Sequence, residues 1–132
     1  MTTKEAHVQS KCEATTRSLA NCAVIELRGE VDGSAAEILG TAYDRAVTTD
    51  TAPGTGPTAS CVLLDFSHVD YINSTGIALI VSVLAKARSQ GRQVVASGLS
   101  DHYRQIFAIT RLSDFIQLYD DIDAATAGVG SA

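Results

Sequence analysis

Short apolar segments recur along the chain, and their spacing predicts alternating strands and helices. From Cys22 to Leu27, Ala23, Ile25 and Leu27 alternate with their neighbours, which is the period-two pattern of a half-buried strand. Residues 61–66 form a compact apolar run, typical of a central strand buried on both faces. The same criteria predict five strands, of which the first is an edge strand antiparallel to the second: 12–17, 22–27, 61–66, 93–96 and 115–119.

Between these strands, apolar residues recur at three- and four-residue spacing, which predicts helices. Asp32 or Ser34 can cap the first helix, because both side chains accept hydrogen bonds from free backbone N–H groups. Its inward face is predicted to carry Ala35, Ile38, Leu39, Ala42, Ala46 and Val47. The long segment after Asn73 contains β-branched residues, but its length, its Ser/Thr start and the Gly91 stop favour a helix. Two shorter helices are predicted at 101–109, with Tyr103, Ile106 and Phe107 inward, and at 121–126.

This alternation predicts an α/β fold: a single domain built from successive βα units around a mostly parallel sheet of four or five strands. The chain of 132 residues is 45% apolar, which is enough for one core. We expect the core to span about 22–119, with 1–10 and 127–132 frayed. Glycine, proline and threonine dominate 48–60, which predicts a mobile loop, and a second loop is predicted at 65–73.

Charge and cysteine content narrow the class of protein. The net charge is −5 and no cluster of Lys or Arg stands out, which disfavours nucleic acid and anionic membranes as partners. The polar N-terminus has no apolar stretch of signal-peptide length, and the most apolar segment, 77–87, is too short to span a bilayer. Cys12, Cys22 and Cys61 are odd in number and lack C-x-x-C spacing, so we expect reduced thiols in a cytoplasmic protein, with a redox sensor as the alternative.

Sequence patterns for catalysis and metal binding are missing. No G-x-S-x-G, P-loop or G-x-G-x-x-G motif occurs between a strand and a helix. The three histidines, His7, His68 and His102, show no metal-ligand spacing with one another or with the cysteines. His68 is the one candidate acid or base, although a loop histidine is more often solvated. We therefore predict no catalytic residue, no metal and no cofactor.

One segment carries a family pattern. Residues 65–80, DFSHVDYINSTGIALI, run from a buried strand through a polar stretch into an apolar helix. This resembles the STAS domain family, specifically the bacterial anti-sigma-factor antagonists, with their D-x-S-x-V and D-S-[ST]-G motifs. Residues 28–32, RGEVD, are similar to the family's G-E-[LV]-D turn, and the segments 98–100 and 106–112 are similar to its third helix. The resemblance covers about 22–119.

The resemblance implies a function by partner switching. Such proteins bind an anti-sigma factor that is also a serine kinase, which frees the sigma factor. The kinase phosphorylates the motif serine, which here is Ser74, and a serine phosphatase restores it; Thr75 is a second candidate. The resemblance places the partner contact at Asp32, Asn73, Ser74, Thr75 and Gly76. A weak homodimer is left open.

The physical chemistry of a helix start agrees with this assignment. A phosphate on Ser74 would face free N–H groups and the positive end of the helix dipole, so we expect the fold to tolerate it. It would add about two negative charges to a surface that is already acidic, with Asp32, Asp65 and Asp70 nearby, and so weaken partner binding. The alternative is that Ser74 is only the helix cap.

Three departures from the family pattern bear on this prediction. Asn73 stands where the family usually has Asp, Arg111 stands where it often has Gly, and the 48–60 loop is longer than usual.

Other functions also stay open. One is a STAS interaction or scaffold module outside sigma control. Another is a small-ligand sensor at the Ser74 helix start, where the nearest basic residue in sequence is Lys86. An enzyme and a transporter-linked domain are disfavoured, the latter because no membrane segment precedes the domain.

Overall fold

A computed structural model describes residues 12–19, 22–48 and 61–130. Five strands and four helices lie within these residues. The strands are β1 (Cys12–Leu19), β2 (Cys22–Val31), β3 (Cys61–Ile72), β4 (Gln93–Ser97) and β5 (Gln117–Tyr119). The helices are α1 (Ala36–Thr48), α2 (Ser74–Ser89), α3 (Asp101–Ile109) and α4 (Ile122–Gly130), with 3₁₀ turns at Gly33–Ala35 and Leu112–Asp114. The predicted frayed residues 1–10 and most of the predicted loop, 49–60, lie outside the described residues.

The strands form one sheet in the order β1-β2-β3-β4-β5. β1 is antiparallel to β2, and every other neighbouring pair is parallel. This confirms the predicted α/β class, the mostly parallel sheet and the N-terminal edge strand. Because β2, β3 and β4 run in the same direction, their carboxyl ends meet at one edge of the sheet, where binding sites of open α/β folds lie.

Apolar side chains cover both faces of the sheet. The main core contains Ala23, Ile25 and Leu27 of β2 and is packed by α1, α2 and α3. The opposite face carries Cys22 and Val24 of the same strand under α4, together with Cys61, Leu63, Val95 and Ala125. The prediction of a half-buried β2 was therefore wrong, because α4 covers the face that was expected to meet solvent. The predicted inward face of α1 is confirmed: Ala35, Leu39, Ala42, Ala46 and Val47 are buried, and Ile38 is partly buried.

The largest difference from prediction lies at the end of β3. The predicted loop at 65–73 was wrong, since β3 stays extended to Ile72. It does so because β2 is also longer than predicted and pairs with it, Arg28 opposite His68 and Val31 opposite Ile72, across two register shifts. β4 reaches only as far as the Asp65–Ser97 pair, so beyond that point β2 and β3 form a two-stranded extension of the sheet.

The end of α2 and both ends of α3 lie where the sequence predicts them. α2 ends where predicted, and Gly91 adopts a positive φ of 76°. The N–H groups of Gly91 and Arg92 donate to the carbonyls of Arg88 (3.0 Å) and Ala87 (2.8 Å), which closes the helix as a Schellman motif. α3 begins and ends as predicted, with Phe107 buried and Tyr103 and Ile106 partly buried.

The C-terminal region differs from prediction in two respects. α4 continues to Gly130 rather than ending at Thr126. Gly128 allows this, because a Cβ there would lie 2.4 Å from the Tyr119 hydroxyl oxygen. β5 begins at Gln117 rather than Phe115, since the 3₁₀ turn uses the preceding residues and leaves Phe115 exposed.

Candidate phosphorylation and partner-binding site

The predicted site lies at the carboxyl edge of the sheet, where β2 and β3 end side by side. The Asn73 N–H donates to the Val31 carbonyl at 3.2 Å, which joins the start of α2 to the end of β2. Asp32 follows directly after Val31, and Ser74 directly after Asn73. The structure therefore brings together the two motifs that carry the family resemblance, although about 40 residues separate them in sequence.

Gly76 determines how closely the two motifs approach. A Cβ at this position would lie 2.0 Å from the Val31 carbonyl oxygen, so only glycine fits against that backbone. A Cβ on Gly33 would be 3.3 Å from the Thr75 methyl carbon, so the first turn of α2 also touches the 3₁₀ turn after Asp32. Gly76 is buried. Its contribution in the described structure is therefore the close packing of α2, and its predicted partner contact stays a prediction.

Asn73 is the N-cap of α2. Its backbone is extended (φ −97°, ψ −176°), and its side-chain oxygen accepts from the Gly76 N–H at 2.8 Å. The alternative in which Ser74 is only the helix cap was therefore wrong, since Ser74 is the first residue inside the helix. Asn in place of Asp retains the cap, because the amide oxygen is an equally placed acceptor.

Ser74 and Thr75 are both exposed on the first turn of α2. Neither hydroxyl forms a hydrogen bond with any residue that the structure describes. The Gly76 N–H is already bonded to Asn73, whereas the N–H groups of Ser74 and Thr75 have no acceptor within the described parts of the chain. The first turn thus offers an accessible hydroxyl next to N–H groups that favour negative charge.

Asp32 is half-buried and shapes the neighbouring turn. Its Oδ1 accepts from the Ser34 N–H at 2.9 Å and also from the Ser34 hydroxyl. This confirms Asp32 as the cap of the helical segment that begins after it. The carboxylate orders the turn that touches Thr75, and it stays partly open to solvent beside α2.

Tyr71, two residues before Asn73, is an exposed side chain that the sequence analysis did not single out. It lies opposite Glu30 in the two-stranded extension, and its side chain is 49% exposed. Asp70 beside it is exposed as well. An exposed tyrosine suits protein contact, because aromatic side chains contribute large apolar area to interfaces.

Asp65 differs from expectation. It is buried, and its Oδ1 accepts from the Ser67 N–H (3.1 Å), the Ser67 hydroxyl (2.6 Å) and the Ser97 hydroxyl (3.2 Å). The expectation that it adds to the acidic face was wrong, because these donors hold it inside the sheet edge. Gly98 approaches so closely that a Cβ there would be 2.3 Å from the Ser67 hydroxyl oxygen. These bonds fix the D-x-S motif at the point where β4 ends and the two-stranded extension of β2 and β3 begins.

A second supporting residue comes from α3. The Tyr103 hydroxyl oxygen accepts from the Ile72 N–H at 2.9 Å, immediately before Asn73. The sequence predicted Tyr103 only as an inward-facing helix residue. No sequence signal relates it to Ile72, 31 positions away, because the contact depends on how α3 packs against the end of β3.

The three cysteines are described by their burial and by the charges near them. All three are buried and free. Burial, together with a hydrogen bond to Cys22, raises the pKa of the Cys61 thiol far above its usual range. Burial and the negative charge of Asp32 raise the pKa of Cys12. Thiols held protonated react slowly with oxidants, which disfavours the redox-sensor alternative.

Among the described residues, no group of three or more His, Cys, Asp or Glu side chains is placed to hold a metal ion. Within the same part of the chain, none of the helices combines the length and apolar character needed to span a membrane.

Comparison with known proteins gives the class. The family model of the STAS domain matches residues 13–125, and this chain belongs to the STAS domain family. Over 55 residues it is 36% identical to a protein named anti-sigma-B factor antagonist from Listeria monocytogenes; the match covers 42% of this chain and 48% of that protein. The chain thus spans about half the length of this curated relative.

Solved structures show the same fold. The anti-sigma factor antagonist SpoIIAA in its unphosphorylated form has a TM-score of 0.64 at 14% identity, with 90% of this chain and 98% of that chain covered. A sulfate transporter family protein from Wolinella succinogenes has a TM-score of 0.68 at 18% identity, with 84% and 86% covered. The fold therefore occurs in antagonists and in transporter-family proteins alike.

Proposed function

We propose that this chain is an anti-sigma-factor antagonist that works by phosphorylation-controlled partner switching at Ser74. One observation carries the proposal. Ser74 is exposed at the start of α2, and the capping task that would otherwise occupy a serine there belongs to Asn73. The hydroxyl is therefore available to a kinase, and its modification leaves the cap in place.

Relatives support the role. The Listeria relative carries the name anti-sigma-B factor antagonist, and the similar SpoIIAA structures include both an unphosphorylated and a phosphorylated form. The partner that we propose is an anti-sigma factor with serine kinase activity, and a serine phosphatase reverses the modification. The chain acts in the cytoplasm as a binding protein without catalytic activity of its own.

The proposed switch is electrostatic. A phosphate on Ser74 is stabilised by the N–H groups of Ser74 and Thr75 and by the helix dipole, so the fold stays intact. The same phosphate adds about two negative charges close to the turn that begins after Asp32, which touches the first turn of α2. A partner that fits the unmodified surface then meets added bulk and repulsion, and its affinity falls.

The test is intact-protein and peptide mass spectrometry of the chain recovered from its native host, with Ser74→Ala and Thr75→Ala as a matched pair. We expect one phosphate, present in Thr75→Ala and lost in Ser74→Ala. A phosphate that persists in Ser74→Ala, or a chain never modified across growth and stress conditions, would contradict phosphorylation at Ser74.

Co-purification separates the proposed role from a scaffold role. We expect Ser74→Ala to retain a kinase-like anti-sigma factor and Ser74→Asp to lose it. The proposed sigma-factor role would be wrong if the recovered partners were copies of a large homo-oligomer with no anti-sigma factor among them.

A further inference from the structure

A second surface lies at the other end of α2. The α2–α3 groove, as we call it, has a volume of about 540 Å³ and runs between the second half of α2 and the link from α3 to β5; its walls include Val81, Ala85, Arg88, Arg111, Leu112 and Phe115. Val81 is 41% exposed and Phe115 is 51% exposed, and Ile109, 79% exposed, is close in sequence. These are three of the four large exposed apolar side chains among the described residues. Val81 and Phe115 line the same groove, and exposed apolar surface gathered at one place is typical of an interaction site.

The rim of this groove is cationic, in contrast to the chain as a whole. The Arg88 guanidinium lies over the Phe115 ring, 5.2 Å from its centroid, which holds the charge at the edge of the apolar floor. Arg111 stands on the opposite wall, where its Nε is 2.8 Å from an Asp114 carboxylate oxygen. Two arginines against one aspartate leave this rim net positive on a chain whose net charge is −5.

The backbone at Arg111 points to a role for its side chain. Arg111 has a φ of 67° and is the one residue other than glycine with a positive φ in the described parts of the chain. Glycine adopts this conformation without strain, whereas arginine does not. The strained position places a guanidinium at the groove rim.

We propose that the α2–α3 groove binds an amphipathic helix of a partner protein, apolar on its inserted face and acidic along its flanks. The wall from Val81 to Arg88 covers eight residues of α2, a rise of about 10 Å or two helical turns, which matches the i, i+4, i+7 contacts of a docked helix. Acidic flanks are complementary to Arg88 and Arg111. A second copy of this chain fits less well, because a two-fold contact would bring four arginines together.

This surface is separate from the proposed switch. Val81 lies seven residues beyond Ser74, about 10 Å along α2, and the groove extends away from there. A partner bound in the groove does not need the Ser74 surface, so the proposal goes beyond the function proposed above and stands if that function fails.

The experiment is selection of 16-residue peptides, displayed as a random library, against the immobilised full chain. We expect enrichment of peptides with apolar residues at helical spacing and flanking Asp or Glu, and weaker binding of the synthesised peptides at higher salt. No enrichment, or enrichment of basic peptides, overturns the proposal.

Variants locate the bound peptide. Phe115→Ala should weaken binding at least tenfold, while Tyr71→Ala, which removes an exposed aromatic ring at the other edge, and Ser74→Asp should leave it unchanged. Arg111→Gly should weaken binding several-fold and at the same time raise the melting temperature, a combination that a merely structural role would not produce. Equal binding by Phe115→Ala, loss on Ser74→Asp, or self-association of the free chain that depends on Phe115 each overturns the proposal.

Discussion

At the scale of single residues, Ser74 and Asp65 have structural roles that differ from those their motifs predict. Ser74 stands at a helix start, where serine is commonly a cap, yet Asn73 forms the cap bond. Asp65 belongs to the resemblance motif, yet it is buried among serine donors. The exposed hydroxyl of Ser74 is therefore freed for other chemistry by the residue that precedes it.

Replacement of Asn73 should show directly that Asn73, and not Ser74, caps α2. Asn73→Ala should lower the free energy of unfolding by about 1 kcal/mol, because the Gly76 N–H loses its acceptor, and Asn73→Asp should retain most of the stability. Ser74→Ala should change stability by less than about 0.5 kcal/mol. Urea titration of the three variants measures this. A loss on Ser74→Ala as large as that on Asn73→Ala would show that Ser74 is the cap after all.

Two glycines in helices give a matched pair. Gly76→Ala should destabilise by about 2 to 3 kcal/mol, because its Cβ would lie 2.0 Å from the Val31 carbonyl oxygen. Gly40→Ala in α1 meets nothing within 4 Å and should stabilise by about 0.5 to 1 kcal/mol through helix propensity. Thermal or urea unfolding distinguishes them, and equal effects would contradict the close approach of α2 to β2.

At the scale of elements, the two-stranded extension of β2 and β3 positions the start of α2. It extends past β4, and its last backbone N–H before Asn73 is held by Tyr103 of α3. The geometry of the site therefore depends on an element that contributes no surface residue to the partner contact proposed here.

Removal of the Tyr103 hydroxyl group tests whether its hydrogen bond to Ile72 holds the end of the extension in place. Tyr103→Phe leaves the Ile72 N–H without its acceptor and should cost about 1 kcal/mol. Amide hydrogen exchange should quicken at Ile72 more than in the centre of the sheet. Tyr71→Phe, at an exposed position, is the control and should change neither quantity. Unchanged exchange at Ile72 in Tyr103→Phe would show that the bond does not hold the extension.

The elements also show what sequence patterns can and cannot predict. The order of strands and helices followed from periodicity, and the placement of Asp32 near the Ser74 segment followed from the family motifs. The extended end of β3 could not be predicted, because its polar residues resemble a loop until β2 is seen to pair with them. Tyr71 and Tyr103 were missed for the same reason, since their roles depend on neighbours that are distant in sequence.

At the scale of the whole molecule, the sheet separates two apolar layers, which are covered by different numbers of helices. Three helices cover the main core, while α4 covers Cys22, Cys61 and their apolar neighbours on the other face. Cys22 and Cys61 are thus part of the packed layer under α4.

Burial of these thiols should appear in the pH dependence of stability. The folded chain holds Cys61 protonated because burial raises its pKa, whereas the thiol of the unfolded chain ionises around pH 8.5. This contribution to stability is fully present below that pH and is lost as the pH rises above it. Wild type should therefore lose more stability between pH 8 and 10 than Cys61→Ala, measured by urea unfolding at each pH. Parallel curves for the two proteins would contradict the raised pKa.

The small residues of α4 have a consequence for the lifetime of the protein. Ala125 and Gly128 let this helix lie close to the sheet, with Gly128 against Tyr119, but they contribute little apolar area of their own. A protease that cuts between Tyr119 and α4 would release this helix from the sheet. The valine, leucine and cysteine side chains that it covers would then be exposed. Such a surface is what chaperones and degradation machinery recognise in damaged chains. A single cut at the C-terminal end would thus mark the whole domain for removal while the Ser74 edge was still intact.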